Sequence, residues 1–200
     1  MTALIMIIFV VLLCLAVPVG VAVAIGSLLP SLLSESFTVS GVFILRSMVG
    51  GINQTTLLAI PLFVLSGIIM TRGGVSKRLF DVFSYFIGGL TAGIPCAVVI
   101  TCLFFGAISG SAPATVAAVG SMTIPIMLEM GYDKQFSVAL VAVAGGLGVI
   151  IPPSIPFILY GQAAGASVSS LFIAGVIPGV LIALVLMGYS IFYCKRHGED

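Results

Sequence analysis

Gly106-Ala-Ile-Ser-Gly-Ser-Ala-Pro113 interrupts a run of 47 residues, Val82 to Leu128, that carries no charged side chain. A helix needs about 20 apolar residues to cross a bilayer, at a rise of about 1.5 Å per residue, so a run of this length holds two passages. The turn between them is small and neutral. Two spanning helices meeting in a tight turn would fit, as would a hairpin that enters the membrane and leaves by the same side. A turn outside the bilayer ordinarily carries charge, and irregular backbone inside it must face protein or a cavity, so the reading favours the re-entrant hairpin.

A second interruption follows. Glu129 to Lys134 brings the chain to the surface, and 60 uncharged residues then run to Cys194, divided by the polar segment Gly161 to Ser170. The first of these passages is broken by Gly145-Gly-Leu-Gly-Val-Ile-Ile-Pro-Pro-Ser154. That leaves halves of roughly 13 residues, each about 20 Å long and too short to span, which predicts a discontinuous helix.

Composition agrees with this reading. Of 200 residues, 60% are apolar and 6% charged, and the mean hydropathy is +1.36. A soluble domain carries about 25% charged residues, so a cytosolic enzyme and a nucleic-acid binder are excluded. The chain reads as an all-α integral membrane protein, multi-pass and surrounded by lipid. The four cysteines have neither CxxC nor Cys/His spacing and read as small apolar residues.

Toward the N-terminus, Ala3 to about Leu29 reads as one helix kinked at Pro18 and Gly20, too long and without the basic flank of a signal peptide. Ser31 to Ser40 is polar. Gly41 to Gly51, with Arg46, reads as interfacial rather than spanning. A helix from about Thr55 to Met70 is closed by Arg72-Gly73-Gly74. Ser76 is placed to cap an amphipathic segment holding Lys77, Arg78 and Asp81, expected to lie along the membrane surface. Arg72, Lys77, Arg78, Lys134, Lys195 and Arg196 fall in three clusters that the hairpin reading puts on one side, taken as cytoplasmic.

Both interruptions contain Ser-x-Pro: Ser111-Ala112-Pro113 and Ser154-Ile155-Pro156. Serine is a good N-cap and proline is tolerated in the first helical turn, so two half-helices begin inside the membrane. Their free N–H groups and positive dipole ends attract anions, and the neighbouring carbonyls can hold a cation. Gly106-x-x-x-Gly110 alone would equally be a helix-packing device, but two matched breaks favour a binding site. No acid, base or histidine lies in the cores of these later blocks, and the one histidine, His197, is in the tail. Catalysis and a proton relay are therefore unsupported. Neutral oxygens from carbonyls near Ser109, Gly148, Ile151 and Pro153, with the hydroxyls of Ser111 and Ser154, suit a monovalent cation such as Na⁺ better than a transition metal.

The segments Leu58 to Gly67, Gly73 to Leu79, Phe105 to Ala112, Met130-Gly-Tyr-Asp133 and Ile150 to Pro156 resemble the large membrane subunit of tripartite ATP-independent periplasmic (TRAP) transporters over almost the whole chain. The resemblance implies a Na⁺-coupled secondary transporter importing an organic acid, such as a C4-dicarboxylate or sialic acid, across a bacterial or archaeal cytoplasmic (inner) membrane. It implies two partners, a small DctQ-like membrane subunit and a DctP-like periplasmic substrate-binding protein, with no cofactor beyond Na⁺ as coupling ion. It also implies an elevator fold. Scaffold helices occupy 1–75. The arm helix, re-entrant hairpin and interrupted helix of the transport domain occupy 76–167, and a final helix with a cytoplasmic tail occupies 168–200. On this mapping Ser109, Ser111, Gly148, Ile151 and Pro153 bind Na⁺, and Gly110, Ser111, Ala112, Pro153 and Ser154 line the substrate site. Lys77 and Arg78 belong to the arm or serve only as topology determinants. Family subunits are about twice this long, with a second, inverted repeat, so the match covers the first repeat. The competing reading is a non-transporting truncated fragment or interaction protein that packs with a partner subunit.

Overall fold

The computed structural model describes residues 2–33 and 40–198, and among these every regular element is helical. The chain divides into two compact units, Met1–Thr55 and Thr56–Asp200.

The first unit corrects the expectation of one kinked N-terminal helix. Helix α1 (Thr2–Cys14) and helix α2 (Val19–Leu33) fold back on each other, with Gly26 of α2 against Ile5 and Phe9 of α1. The reversal is a left-handed helix stop. Ala16 has φ 58°, the Val17 N–H donates to the Leu12 carbonyl, and the Ala16 N–H donates to the Leu13 carbonyl. That is the Schellman arrangement, usually made with glycine, and Pro18 then starts α2. At 13 and 15 residues each arm is about 20 Å long. Helix α2 also runs through Pro30 and Ser31, where the polar stretch was expected to begin, and most of that stretch, 34–39, lies outside the described residues. Helix α3 (Gly41–Ile52), at 12 residues, is shorter than a span, as its composition predicts.

The second unit is organised around one helix. A 3₁₀ turn (Thr55–Leu58) leads into α4 (Ala59–Arg72), which stops at Gly73 and the left-handed Gly74, φ 71°. Helix α5 (Val75–Ile87) starts at once, so Ser76 lies buried inside it and is not its cap. Its Phe80 is buried and Phe83 rests on Phe104 at 5.2 Å, while Lys77, Arg78 and Asp81 face outward.

The block expected to be unbroken from Val82 to Gly106 turns at Gly88–Ala92. A Cβ on Gly93 would collide with the Ile87 carbonyl, so only glycine lets the chain reverse there. Helix α6 (Gly93–Ser109) has twelve of its seventeen residues buried and packs against α4, α5, α7, α8 and α10, which makes it the centre of the unit. Helix α7 (Ala112–Glu129) returns from the tip. It ends in a second Schellman turn, with Gly131 at φ 93° and the Tyr132 N–H donating to the Met127 carbonyl.

Asp133 caps α8 (Lys134–Gly145), its carboxylate accepting from the Phe136 N–H at 2.9 Å. A 3₁₀ turn (Gly146–Val149) and an irregular stretch follow, then α9 (Ile155–Ala164). The halves, 12 and 10 residues, are each too short to span, as the sequence predicts. Left-handed Gly165 and the Ser167 cap introduce α10 (Val168–His197), 30 residues or about 45 Å long, ending in Lys195, Arg196 and His197.

Among the described residues three helices are long and apolar enough to cross a membrane: Thr55–Arg72, Ala112–Glu129 and Val168–His197. Their outward faces are apolar, with Ile173, Ile177 and Leu181 exposed on α10. The buried polar side chains of this unit instead concentrate on α6, α7, α8 and the breaks.

Candidate functional site

The two interruptions meet. The α6–α7 tip and the α8–α9 break touch backbone to backbone: a Cβ on Gly106 would lie 2.5 Å from the Gly148 Cα, and one on Gly110 would lie 2.7 Å from the Pro153 carbonyl oxygen. The Ile155 N–H at the start of α9 donates to the Gly110 carbonyl at 3.4 Å. Gly110 itself closes α6 with φ 63°, so any side chain there is both strained and obstructed. Three glycines, Gly106, Gly110 and Gly148, rather than complementary side chains allow this contact.

Inside the tip is a small hydroxyl network. Ser109, 1% exposed, lies 3.0 Å from the Thr115 hydroxyl, and the Thr115 hydroxyl donates to the Ser111 carbonyl at 2.9 Å. The same carbonyl accepts the Thr115 N–H at 3.0 Å as the first helical bond of α7. Gly148 presses on this network, since its Cβ would sit 2.6 Å from Thr115 Oγ1 and 3.1 Å from the Ser111 oxygen. Sequence reasoning did not find Thr115 or the role of Gly106. The signal was a threonine four residues after Ser111, one helical turn on, where its hydroxyl reaches back to the i−4 carbonyl.

The two Ser-x-Pro motifs are not equivalent. Ser154 is fully buried, accepts from the Phe157 N–H at 3.3 Å and donates to the Val149 carbonyl at 2.6 Å, so its hydroxyl caps α9 and closes the break. Ser111 has the extended backbone of an N-cap, yet its side chain makes no capping bond. With Pro113 in the first turn, the N-terminus of α7 is therefore left without a side-chain cap, beside the half-exposed Ser111 hydroxyl. Of the residues expected to form the site, Ser109, Gly110, Ser111, Ala112, Gly148 and Pro153 are brought together with Ser154 directly behind them. Ile151 lies in the same break, between Val149 and Pro153. Its side chain is directed onto Gly179 of α10, where a Cβ would collide with it.

The chemistry available is that of neutral oxygen. The donors at the tip and break are hydroxyls and main-chain carbonyls, and among the described residues no group of three or more His, Cys, Asp or Glu side chains is placed to hold a metal ion. Such a set suits a hard monovalent cation better than a transition metal.

Residues 6–199 match the family described as Tripartite ATP-independent periplasmic transporter, DctM component. The chain belongs to this family. TRAP large permeases are transporters rather than enzymes, and the chain is similar to several that differ in their named substrate. It is 43% identical over 190 residues to the isethionate TRAP transporter permease protein DctMQ of Oleidesulfovibrio alaskensis, covering 95% of the chain and 30% of that protein. It is 52% identical over 132 residues to the C4-dicarboxylate TRAP transporter large permease protein DctM of Pseudomonas aeruginosa, covering 66% of the chain and 31% of that protein. It is 36% identical over 197 residues to the ectoine/5-hydroxyectoine TRAP transporter large permease protein UehC of Ruegeria pomeroyi, covering 98% of the chain and 46% of that protein. The chain thus spans between about a third and a half of the length of the curated relatives it matches.

Proposed function

We propose that this chain supplies the first-repeat half of a Na⁺-coupled TRAP permease, in which the joined tip and break hold Na⁺ and form one wall of the site for an organic solute bearing a carboxylate or sulfonate. The observation that carries this reading is the backbone contact of Gly106 with Gly148 and of Gly110 with Pro153. It concentrates neutral oxygens where α7 begins without a side-chain cap, so that carbonyls can hold the cation while the free N–H groups receive a polar group of the solute beside it. The hairpin is re-entrant and, with the broken helix, moves as the transport domain of an elevator in the cytoplasmic membrane. A small DctQ-like subunit and a DctP-like periplasmic binding protein complete the system, and the name DctMQ of one relative is in keeping with such a pairing.

The substrate class is widened from carboxylic acids alone. The relatives are named for a sulfonate (isethionate), a dicarboxylate and a zwitterionic carboxylate (ectoine). The test is the melting temperature of the purified chain in NaCl and in KCl at equal ionic strength, for the wild type and Gly110→Ala. A ligand at a hundredfold excess over its Kd stabilises by about 2.7 kcal/mol. The reading predicts a Na⁺-specific rise in the wild type that Gly110→Ala removes. Equal melting in the two salts would favour the packing-only alternative.

A further inference from the structure

A cavity of about 320 Å³ lies between α4 and α7, lined by Gly67, Thr71 and Arg72 on one side and by Ser109, Ser111 and Ser121 on the other, with alanines and aliphatic side chains between. Gly67 rests on Ser109, its Cβ position 3.3 Å from that side chain, so the cavity begins at the tip. Arg72 is five residues further along α4, about 7.5 Å of helix rise. It is the one charged residue in the lining, and among the described residues its side chain forms no ion pair or hydrogen bond. A guanidinium beside apolar walls attracts an anion more strongly than one in open water, and its planar fork suits a carboxylate or sulfonate. At the far end Ser111 offers a hydroxyl and the uncapped start of α7.

We propose that Arg72 is the anion-recognising residue of this permease. It holds the carboxylate or sulfonate of the transported solute while the rest of the molecule occupies the cavity toward Ser111. The inference rests on the transporter reading above and extends it to a residue that neither Ser-x-Pro motif contains. A cavity of this size, at the lower end of the range for small-molecule sites, accommodates solutes of the isethionate, succinate or ectoine size.

The test places a reporter in the cavity. In a Cys14→Ser background the three remaining cysteines, Cys96, Cys102 and Cys194, are buried, so Ser121→Cys becomes the accessible thiol. Its modification rate is measured with an anionic and a cationic methanethiosulfonate of similar size, with Arg72 present and with Arg72→Gln, each with and without 10 mM isethionate, succinate or ectoine in NaCl. The inference predicts a several-fold preference for the anionic reagent that Arg72→Gln abolishes. It also predicts protection by at least one solute, whose half-protecting concentration rises about tenfold to a hundredfold in Arg72→Gln, the loss expected for a charge-assisted hydrogen bond. Protection unchanged by Arg72→Gln overturns the role of Arg72 and leaves the transporter reading standing. Absence of protection by every solute also overturns it. Whether the transporter reading falls too is then decided by the NaCl against KCl melt, to which Arg72 does not contribute.

Discussion

Gly148→Ala adds one methyl group at the point where the break presses on the tip. The new Cβ would lie 2.6 Å from Thr115 Oγ1, 3.1 Å from the Ser111 carbonyl oxygen and 3.3 Å from the Gly106 Cα. Two of these neighbours are backbone, and the third is a hydroxyl held by Ser109 and by the Ser111 carbonyl. The methyl can enter only by driving Thr115 out of its network or by parting the two breaks. Overpacking costs about 1–3 kcal/mol, and a buried hydroxyl that loses its partners adds about 1–3 kcal/mol. The internal control is Gly146→Ala, two residues away in the same 3₁₀ turn, where nothing lies within 4 Å of the Cβ position. Gly146 has φ −60°, so alanine fits there and is expected to be neutral or to stabilise by up to about 1 kcal/mol. The two variants should therefore differ by about 2–7 kcal/mol. In a Cys14→Ser background, thermal melts followed by a thiol-reactive dye read this directly, because the three remaining cysteines, Cys96, Cys102 and Cys194, are buried in the folded chain. Equal melting of the two variants would refute the close packing of break on tip.

Thr115→Val keeps the shape of the side chain and removes its hydroxyl, so it should weaken the Na⁺-specific stabilisation while the helical content seen by circular dichroism stays native. Ser154→Ala removes a cap and should lower stability by about 1 kcal/mol in NaCl and KCl alike, because that hydroxyl is already committed to Phe157 and Val149. Gly93→Ala should prevent folding of the α5–α6 turn, visible as loss of monodisperse protein on size exclusion, since its Cβ collides with the Ile87 carbonyl. No acid, base or histidine lies at the tip or the break, so Na⁺ affinity should be flat from pH 6 to pH 8, and a slope would require a titrating ligand.

Much of the site was legible because its signals are local. Ser-x-Pro sets a helix start, and Gly145 to Ser154 cannot stay helical through its glycines and paired prolines, so both breaks are found where the sequence puts them. What escaped were contacts that need the third dimension. Thr115 reads as an ordinary helical threonine until Gly148 is seen against it. Arg72 reads as a topology marker until α4 is laid along α7. The N-terminal hairpin was missed for a different reason: a left-handed stop is recognised by glycine, and here alanine occupies the position, with φ 58°. Gly88-Gly89 did signal the α5–α6 turn, but hydropathy passes smoothly across it. The likeness of the two Ser-x-Pro motifs also misled, since local sequence does not reveal that Ser154 turns inward to Val149 while Ser111 is left half-exposed.

The central claim, that tip and break together form a Na⁺ site, is tested most directly by titrating NaCl into the purified chain in choline chloride at constant ionic strength, following ²³Na line broadening. The account predicts saturable broadening that K⁺ does not compete away and that Gly148→Val abolishes. Broadening that rises linearly without saturation, or that is the same in Gly148→Val, would contradict it.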